Sequence, residues 1–355
     1  MKKGWEYKKL PEISENLDSL RKPVTKKNRT AGIYPYYGAS GIVDYVDDYL
    51  FDEDLLCISE DGANLLMRTY PIAFPISGKV WVNNHAHVLR FKDIATQKYV
   101  EYFFAGFKLD DYITGAAQPK LTQKALNNIT IKIPISLSEQ QRIVNYLDSA
   151  FAKIDAMKAN AEKSLNEDKA LFQASLKEML EPKEGWEEKK LINEFSLKSG
   201  EYLSTKNQVK GSYPVYGGNG IIGYHNKYNL SGDQILIGRV GALCGNIHYI
   251  KENIWVTDNA FVVNNISSSW NMFFLSYELE YIDLNQYASQ TAQPVISNKS
   301  MKDVIIYLPP LSEQQSIVAT LDSLKSKVDR LQANYEKISQ ECDALKQAIL
   351  RQVFE

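Results

Sequence analysis

The chain has 355 residues, 44% of them hydrophobic, and a formal net charge of −2, which predicts two or three soluble domains with real cores and excludes a disordered chain. Charge of both signs is spread evenly, so no segment is a basic clamp, and nucleic-acid binding must draw much of its phosphate neutralisation from a partner or from locally concentrated charges. No run approaches the ~20 apolar residues of a membrane span, and the Met-Lys-Lys start is not followed by an apolar segment, so a cytoplasmic location is expected. Cys57, Cys244 and Cys342 are isolated and odd in number, which fits reduced buried thiols better than disulfides or a zinc site.

In chain order, GWEYKKL at 4–10 leads into a globular stretch. There LLCIS at 55–59 and VWVN at 80–83 read as strands, YVEYFFAGF at 99–107 as a helix, and Ile129, Ile131 and Ile133 as the buried face of a closing strand. Glycines 38 and 41 lie in YPYYGASGIVDY at 34–45, expected to be a tyrosine-flanked loop with tight turns. Pro134 stops the strand, and LSEQQRIVNYLD at 137–148 opens a long charged helix, with Ser138 fitting the N-cap and Gln141 completing a capping box. A loose apolar stripe follows through Val144, Leu147, Phe151, Ile154, Met157, Ala161, Leu165, Leu171 and Leu176, with Asp168 at a seam position, and the helix ends at Pro182.

The chain then repeats itself. GWEEKKL at 185–191, YPVYGGNGIIGY at 213–224, WVTDNAFVV at 255–263 and AQPVISNKSM at 292–301 match GWEYKKL, YPYYGASGIVDY, WVNNHAHVL at 81–89 and AQPKLTQKAL at 117–126, at offsets of 174 to 181 residues. Strands at 234–238 and 254–257, a helix around 269–281 and the alternation of Val304, Ile306 and Leu308 repeat the first half's order, with glycines 217, 218 and 220 in its loop. After Pro309-Pro310, LSEQQSIVATLD at 311–322 opens a second helix with Ser312 and Gln315 in the capping roles. Leu321, Leu324, Val328, Leu331, Tyr335, Ile338, Cys342, Leu345 and Ile349 alternate three- and four-residue steps, a coiled-coil seam. Each helix of roughly 40 residues would reach ~60 Å.

Domain termini usually lie close together, so the end of the first helix and the start of the second are expected to be neighbours, and the helices antiparallel. The expected fold class is α+β: two similar mixed α/β heads, 1–137 and 183–311, joined by a long antiparallel two-helix coiled coil, 138–182 and 312–355, with internal pseudo-two-fold symmetry.

Enzyme chemistry is hard to place on this sequence. Gly78-Lys79 lacks the earlier glycine and the hydroxyl of a nucleotide phosphate loop, and no glycine-rich turn follows a strand as in a dinucleotide site. The only Pro-Pro pair, Pro309-Pro310, is not the Asn/Asp-Pro-Pro-aromatic box of amino-methyltransferases. His85-x-His87 has no neighbouring carboxylate or thiol cluster in sequence to complete a metal site, and Glu188-Lys189 lies in a charged, solvated run.

The heads do carry polar and aromatic residues in matched frames. Lys26, Lys27, Asn28 and Arg29 correspond to Lys206, Asn207 and Gln208, residue types that hold phosphates or read base edges. Gln118 and Gln293 share an Ala-Gln-Pro setting, which suits a common scaffold contact. Positions that differ inside a common frame suit discrimination better: Glu60 and Asp61 against Arg239 and Val240, and Asn83 with Asn84 against Thr257 with Asp258. Tyr36, Tyr37, Ser40, Asn64 and Arg68 in the first repeat, and Tyr216, Asn219 and Asn246 in the second, complete the candidate contacts.

Two heads of this kind, each entered through G-W-E-x-K-K-L, bearing Y-P-x-Y-G-x-x-G-I and closing on a proline-led L-S-E-Q-Q helix, resemble the specificity subunit of a type I DNA restriction-modification enzyme. The resemblance spans essentially the full chain and includes LIGRVGALCG at 236–245, from which the first repeat departs at Ile58-Ser59-Glu60-Asp61-Gly62. It implies that each head is a target recognition domain reading half of a split, asymmetric double-stranded DNA sequence. The helices would space the heads and dock two methyltransferase subunits, with Glu139, Gln140, Gln141, Glu313, Gln314 and Gln315 as candidate partner contacts. On this resemblance the chain itself is non-catalytic and holds no cofactor or metal. S-adenosylmethionine would belong to the methyltransferases, and ATP and Mg to further motor-nuclease restriction subunits. A two-headed coiled-coil adaptor that binds protein instead of DNA is the other reading.

Overall fold

Two helices of 44 residues, Leu137–Leu180 and Leu311–Phe354, organise the computed structural model, which describes residues 4–115, 117–204, 206–289 and 293–355. Ala292 of the repeated Ala-Gln-Pro segment and the Met-Lys-Lys start lie outside the described residues. The helices start two residues earlier than the serine caps predict. The carbonyl of Ser136 accepts from the amides of Glu139 and Gln140, and that of Pro310 from Glu313 and Gln314. Ser138 Oγ instead lies 2.6 Å from Ser136 Oγ, and Gln141 bonds Asn145 at 2.7 Å, so the expected capping boxes do not form.

The chain divides into two compact units, residues 1–161 with 336–355, and residues 162–335. Each contains one head, the first part of that head's own helix and the last part of the other.

In the first unit, Trp5–Lys9 pairs antiparallel with Thr130–Pro134, closing the head at the helix start. One sheet runs in the order Ser14–Asn16, Ala86–Phe91, Leu55–Ser59, Ala73–Ile76, and another in the order Gly41–Val46, Ala31–Gly38, Lys79–Val82, Phe51–Asp52. Helix Ile94–Gly106 covers the first sheet. Its Tyr99, Phe103 and Phe104 join Leu56, Leu89, Ile131 and Ile133 with Val144 and Leu147 of one long helix and Leu350 of the other in a single core. A second core, around Leu55, Cys57, Val80, Val82 and Val88, lies on the other face of these strands. Period-two alternation explains the split, because successive side chains of Leu55–Ser59 enter opposite cores.

The second unit repeats the plan. Glu187–Lys190 pairs with Ile305–Leu308; Ser196–Ser199, Ala260–Asn264, Gln234–Gly238 and Ile247–Ile250 form one sheet, and Gly220–His225, Tyr213–Gly217 and Trp255–Val256 the other. Helix Met272–Ile282 takes the place of Ile94–Gly106, and Phe172, Leu176, Leu180, Ile317 and Leu321 join its core.

Within each unit the helix segments run antiparallel. Lys346 meets Asp155 at 2.6 Å while Lys158 meets Asp343 at 3.8 Å in the first. In the second, core packing of Phe172 to Leu180 with Ile317 and Leu321 accompanies a 2.6 Å pair between Asp168 and Lys327. The seam differs from the sequence reading by single residues. Phe172 is buried where Leu171 was expected, Met157 and Leu345 are exposed, and Lys346 lies with its Nζ 5.3 Å from the Phe151 ring centre. Strict steps of three and four from Leu147 pass through Lys158 and Phe172, and a lysine can hold such a place by laying its methylenes on the seam with the ammonium in water.

Candidate functional site

The Tyr-Pro-x-Tyr-Gly segments are strands. Ala31–Gly38 and Gly41–Val46 make a hairpin, as do Tyr213–Gly217 and Gly220–His225, with Gly41 and Gly220 at positive φ in the turns. Strand parity sends Tyr36 inward, where its hydroxyl lies within hydrogen-bond reach of the Val24 amide and carbonyl, and Tyr37 stacks on Phe74. Tyr216 is buried as well. Of these three tyrosines, taken from sequence as contact candidates, Tyr36 and Tyr216 are buried and Tyr37 is half-buried against the core.

Beside each hairpin the two heads share one backbone frame. The Glu60 amide bonds the His85 carbonyl at 2.9 Å, and the Arg239 amide bonds the Asn259 carbonyl at 2.9 Å. The Gly62 amide reaches Pro119 O at 3.0 Å, and the Gly241 amide reaches Pro294 O at 2.9 Å. Asp61 bridges Lys120 as Val240 bridges Val295. Main-chain bonds hold this frame, so its side chains are free to differ.

Beneath it, the first head buries a charged network that sequence reasoning missed, because its members are distant in the chain. Arg21 Nη1 donates to Glu60 Oε2 at 2.7 Å and to Ala86 O at 2.6 Å, and its Nη2 lies 3.4 Å from Asp18. His87 Nδ1 meets Asp18 at 2.6 Å and its Nε2 meets Leu121 O at 2.8 Å, while Lys120 reaches Glu60 at 3.2 Å. Burial works to raise the Asp18 carboxyl, but the bond and charge of His87, the Val88 amide and Arg21 hold it below its usual range. The Asp18, Glu60 and His87 donors lie within 4.8 Å of one another. Arg21 already supplies the positive charge that such a donor set calls for, so the cluster reads as an ion network. Glu60 is therefore committed inside the head.

The second head solves the same place differently. Arg239 stands where Glu60 does, with Phe261 in place of His87 and Ser199 in place of Asp18. Its guanidinium lies 5.3 Å from the Phe261 ring centre, and Nη1 bonds Ser199 Oγ and Asp258 O, both at 3.3 Å. Nε is buried without a protein partner among the described residues. Arg239 too is turned inward, packed on an aromatic face.

Other candidates also have structural work. Arg68, at φ 52°, donates to Phe104 O at 3.1 Å and to Phe107 O, binding carbonyls at a helix C-terminus where a cation is favoured. Asn64 closes both ends of its amide on the Tyr70 backbone. Asn83 is buried, its Oδ1 taking the His85 amide at 2.8 Å, and Thr257 is buried with an unpartnered hydroxyl among the described residues. Arg29 pairs with Asp44 at 2.9 Å and lies 4.2 Å over the Tyr36 ring. Asn219 and Asn246 bond each other at 3.0 Å, and Gln208 donates to Tyr224 O at 3.2 Å. Asp258 is half-buried, whereas Lys26, Lys27, Asn28, Ser40, Asn84, Gln118, Lys206, Asn207 and Gln293 are exposed.

The LSEQQ segments divide sharply. Gln140 is buried, accepting from Thr96 Oγ1 at 2.7 Å and donating to Pro134 O at 2.8 Å. Gln314, fully buried, accepts from the Asn271 amide at 2.7 Å and donates to Ser269 O and Pro309 O at 3.0 and 2.9 Å. These glutamines latch each helix to its own head and have no polar atom left for a partner, which corrects their assignment. Tyr102 to Asp148 at 2.5 Å and Tyr277 to Asp322 at 2.7 Å form a second matched latch. Glu139 pairs with Arg142 at 2.7 Å along the helix, and Glu313 accepts from Trp186 at 3.2 Å. Gln141 is half-buried and Gln315 exposed.

The family model for the type I restriction modification DNA specificity domain matches residues 2–167 and 183–340. A putative type I restriction enzyme specificity subunit of Haemophilus influenzae is 28% identical over 346 residues, covering 90% of this chain and 88% of that protein. A solved chain from work on the assembly and conformational transition of the type I R-M system has the same fold at 18% identity, with a TM-score of 0.73 over 99% of this chain and 98% of that one. The type I S subunit of M. genitalium aligns with a TM-score of 0.51 at 16% identity, over 97% and 96% of the two chains.

Proposed function

Because the chain belongs to the type I restriction modification DNA specificity family, whose model matches both of its repeats, we infer that it is the DNA sequence-specificity subunit of a type I restriction-modification complex. It works with DNA and with other subunits of that system, which decides against the protein-binding adaptor. In finer detail, the heads at 1–137 and 183–311 each read one half of a bipartite, asymmetric double-stranded target. The helices at 138–182 and 312–355 join them and dock two methyltransferase subunits, which bring S-adenosylmethionine. Motor-nuclease subunits add ATP-dependent, Mg-dependent restriction, and the assembly acts in the cytoplasm.

One observation carries this reading: a single backbone frame presents Asp61 and His85 in one head and Val240 and Asn259 in the other. Two like-built heads with unlike side chains suit a target whose halves differ. A near-neutral chain also needs partners to close around the phosphates, and a base to be methylated must be flipped into a partner's pocket. No helix among the described residues is long and apolar enough to cross a membrane.

The test is reconstitution. The purified chain alone is expected to transfer no methyl group and to bind DNA weakly, and adding methyltransferase subunits should give sequence-specific binding and adenine methylation. Replacing residues 192–308 with another recognition domain should change one half of the methylated sequence only. Methyl transfer by the chain alone, or a target altered in both halves by the exchange, would refute the assignment.

A further inference from the structure

A cleft of about 640 Å³ opens on the first head beside the hairpin turn, its walls including Ser40, Met67, Tyr70, Asn83 and His85. Small residues at its edge, Gly38, Ala39, Gly62 and Ala63, let another molecule approach the backbone closely. Most polar side chains around it are already committed: Asn64 to the Tyr70 backbone, Asn83 Oδ1 to the His85 amide, and Arg29 to Asp44 and Val24 O.

Ser40 and Thr69 also line the cleft with hydroxyls that make no hydrogen bond among the described residues, but His85 differs from them in being held by a partner. Its Nδ1 lies 3.0 and 2.9 Å from the two oxygens of Asp61, and the imidazole is 47% exposed while the carboxylate is 14% exposed. A carboxylate only accepts, so Nδ1 carries a proton toward it. In the neutral tautomer this fixes, Nε2 is an acceptor, and it makes no hydrogen bond among the described residues. The ring is thus oriented by a half-buried partner and offers one unsatisfied polar atom at an open cleft.

The second head has the same backbone there and lacks the pair, with Val240 at the position of Asp61 and Asn259 at that of His85. A residue needed for folding or for binding a partner common to both heads would be expected to recur. This pair does not.

Resting on the DNA-reading function inferred above, we propose that His85 is a specificity-determining residue of the first head, its Nε2 accepting from the amino group of an adenine or cytosine in that head's half-site. Those exocyclic amines are the donors a base pair presents in the major groove. Asp61 is the positioning residue, fixing the tautomer and aim of the ring.

The experiment maps methylated sites in DNA from cells that carry the whole complex with wild-type chain, His85→Ala, Asp61→Ala or Asp61→Asn. His85→Ala should relax a single adenine or cytosine position in one half of the target, raising methylation at substituted sites roughly 10-fold or more relative to the wild-type sequence, with the other half unchanged. Asp61→Ala should relax the same position, and Asp61→Asn, whose amide oxygen still accepts from Nδ1, should restore discrimination. Unchanged selectivity with His85→Ala overturns the proposal, as does a uniform fall in methylation at every site, which would mark a phosphate contact. A wild-type complex whose sites share no bipartite sequence would instead remove the recognition function on which the proposal stands.

Discussion

Glu278 stands on the helix Met272–Ile282 with no exposed surface, and the matched position in the first head holds Phe103. One carboxyl oxygen accepts from the Tyr307 amide at 2.9 Å, and the other is buried without a partner among the described residues. Burial pushes the acid from an ordinary 4.5 up to about 7, against the smaller opposing effect of the Tyr307 amide. Since the folded value exceeds the unfolded one, the folded state holds the proton more tightly. The stability from this group is full below about pH 4.5 and is lost as pH rises through about 7. At about 1.36 kcal/mol per unit, a rise of about 2.5 units amounts to about 3 kcal/mol. Glu278→Gln keeps an oxygen for the Tyr307 amide and cannot ionise. Thermal unfolding of the full chain at pH 5 and pH 8, with hydrogen exchange on second-head peptides, should show wild type losing roughly 10 °C relative to the variant across that interval. Parallel profiles for the two proteins would refute the reasoning.

Gln314→Leu strands the Asn271 amide and two carbonyls, so the second unit should lose about 3 kcal/mol in denaturant unfolding, and a loss below ~0.5 kcal/mol would deny the latch its role. Arg21→Met leaves Asp18 and Glu60 without the guanidinium and should cost about 3 to 5 kcal/mol, seen as faster hydrogen exchange in the first head and not in the second. Replacing Lys327 by alanine should change the second unit's stability by less than about 1 kcal/mol in a melting experiment, since its side chain is 49% exposed and a half-exposed ion pair with Asp168 contributes little; a loss of several kcal/mol would refute this.

The duplication was legible because each repeat must rebuild the same core, and that core is specified by local patterns: the strand at Leu55–Ser59, the alternation at Ile131 and Ile133, and the helix of Tyr99. The seam was legible to within one residue, and it failed at Leu171 and Leu345, where a hydrophobic side chain lies beside the position that geometry selects. The contact face was much less legible. Tyrosine suits both a recognition loop and a buried strand, and only pairing of Ala31–Gly38 with Gly41–Val46 reveals that Tyr36 points inward. Arg68 and Arg239 looked available because residue type says nothing about whether a carbonyl or an aromatic ring waits nearby. The network of Asp18, Arg21, Glu60 and His87 spans three separate stretches of chain, so no window of sequence displays it.

These placements separate what must repeat from what must differ. The glutamine latch, the tyrosine latch and the carbonyl partners of the frame occur in both units, and they fix how each helix leaves its head. If each head reads half of an asymmetric target, as proposed, a side chain repeated at a reading position would tend to select like bases in both halves and erase that asymmetry. Beneath the frame the heads use opposite solutions, a charge network around Arg21 in one and Arg239 against Phe261 in the other, yet the main-chain bonds above are the same. The main-chain bonds at positions 61 and 85, and at 240 and 259, do not depend on the side chains there, so on the proposed reading a head can acquire a new preference without losing the joint to its helix. Such independence requires that the energy holding the frame come from backbone hydrogen bonds and buried apolar contacts, and those are the interactions the two units share.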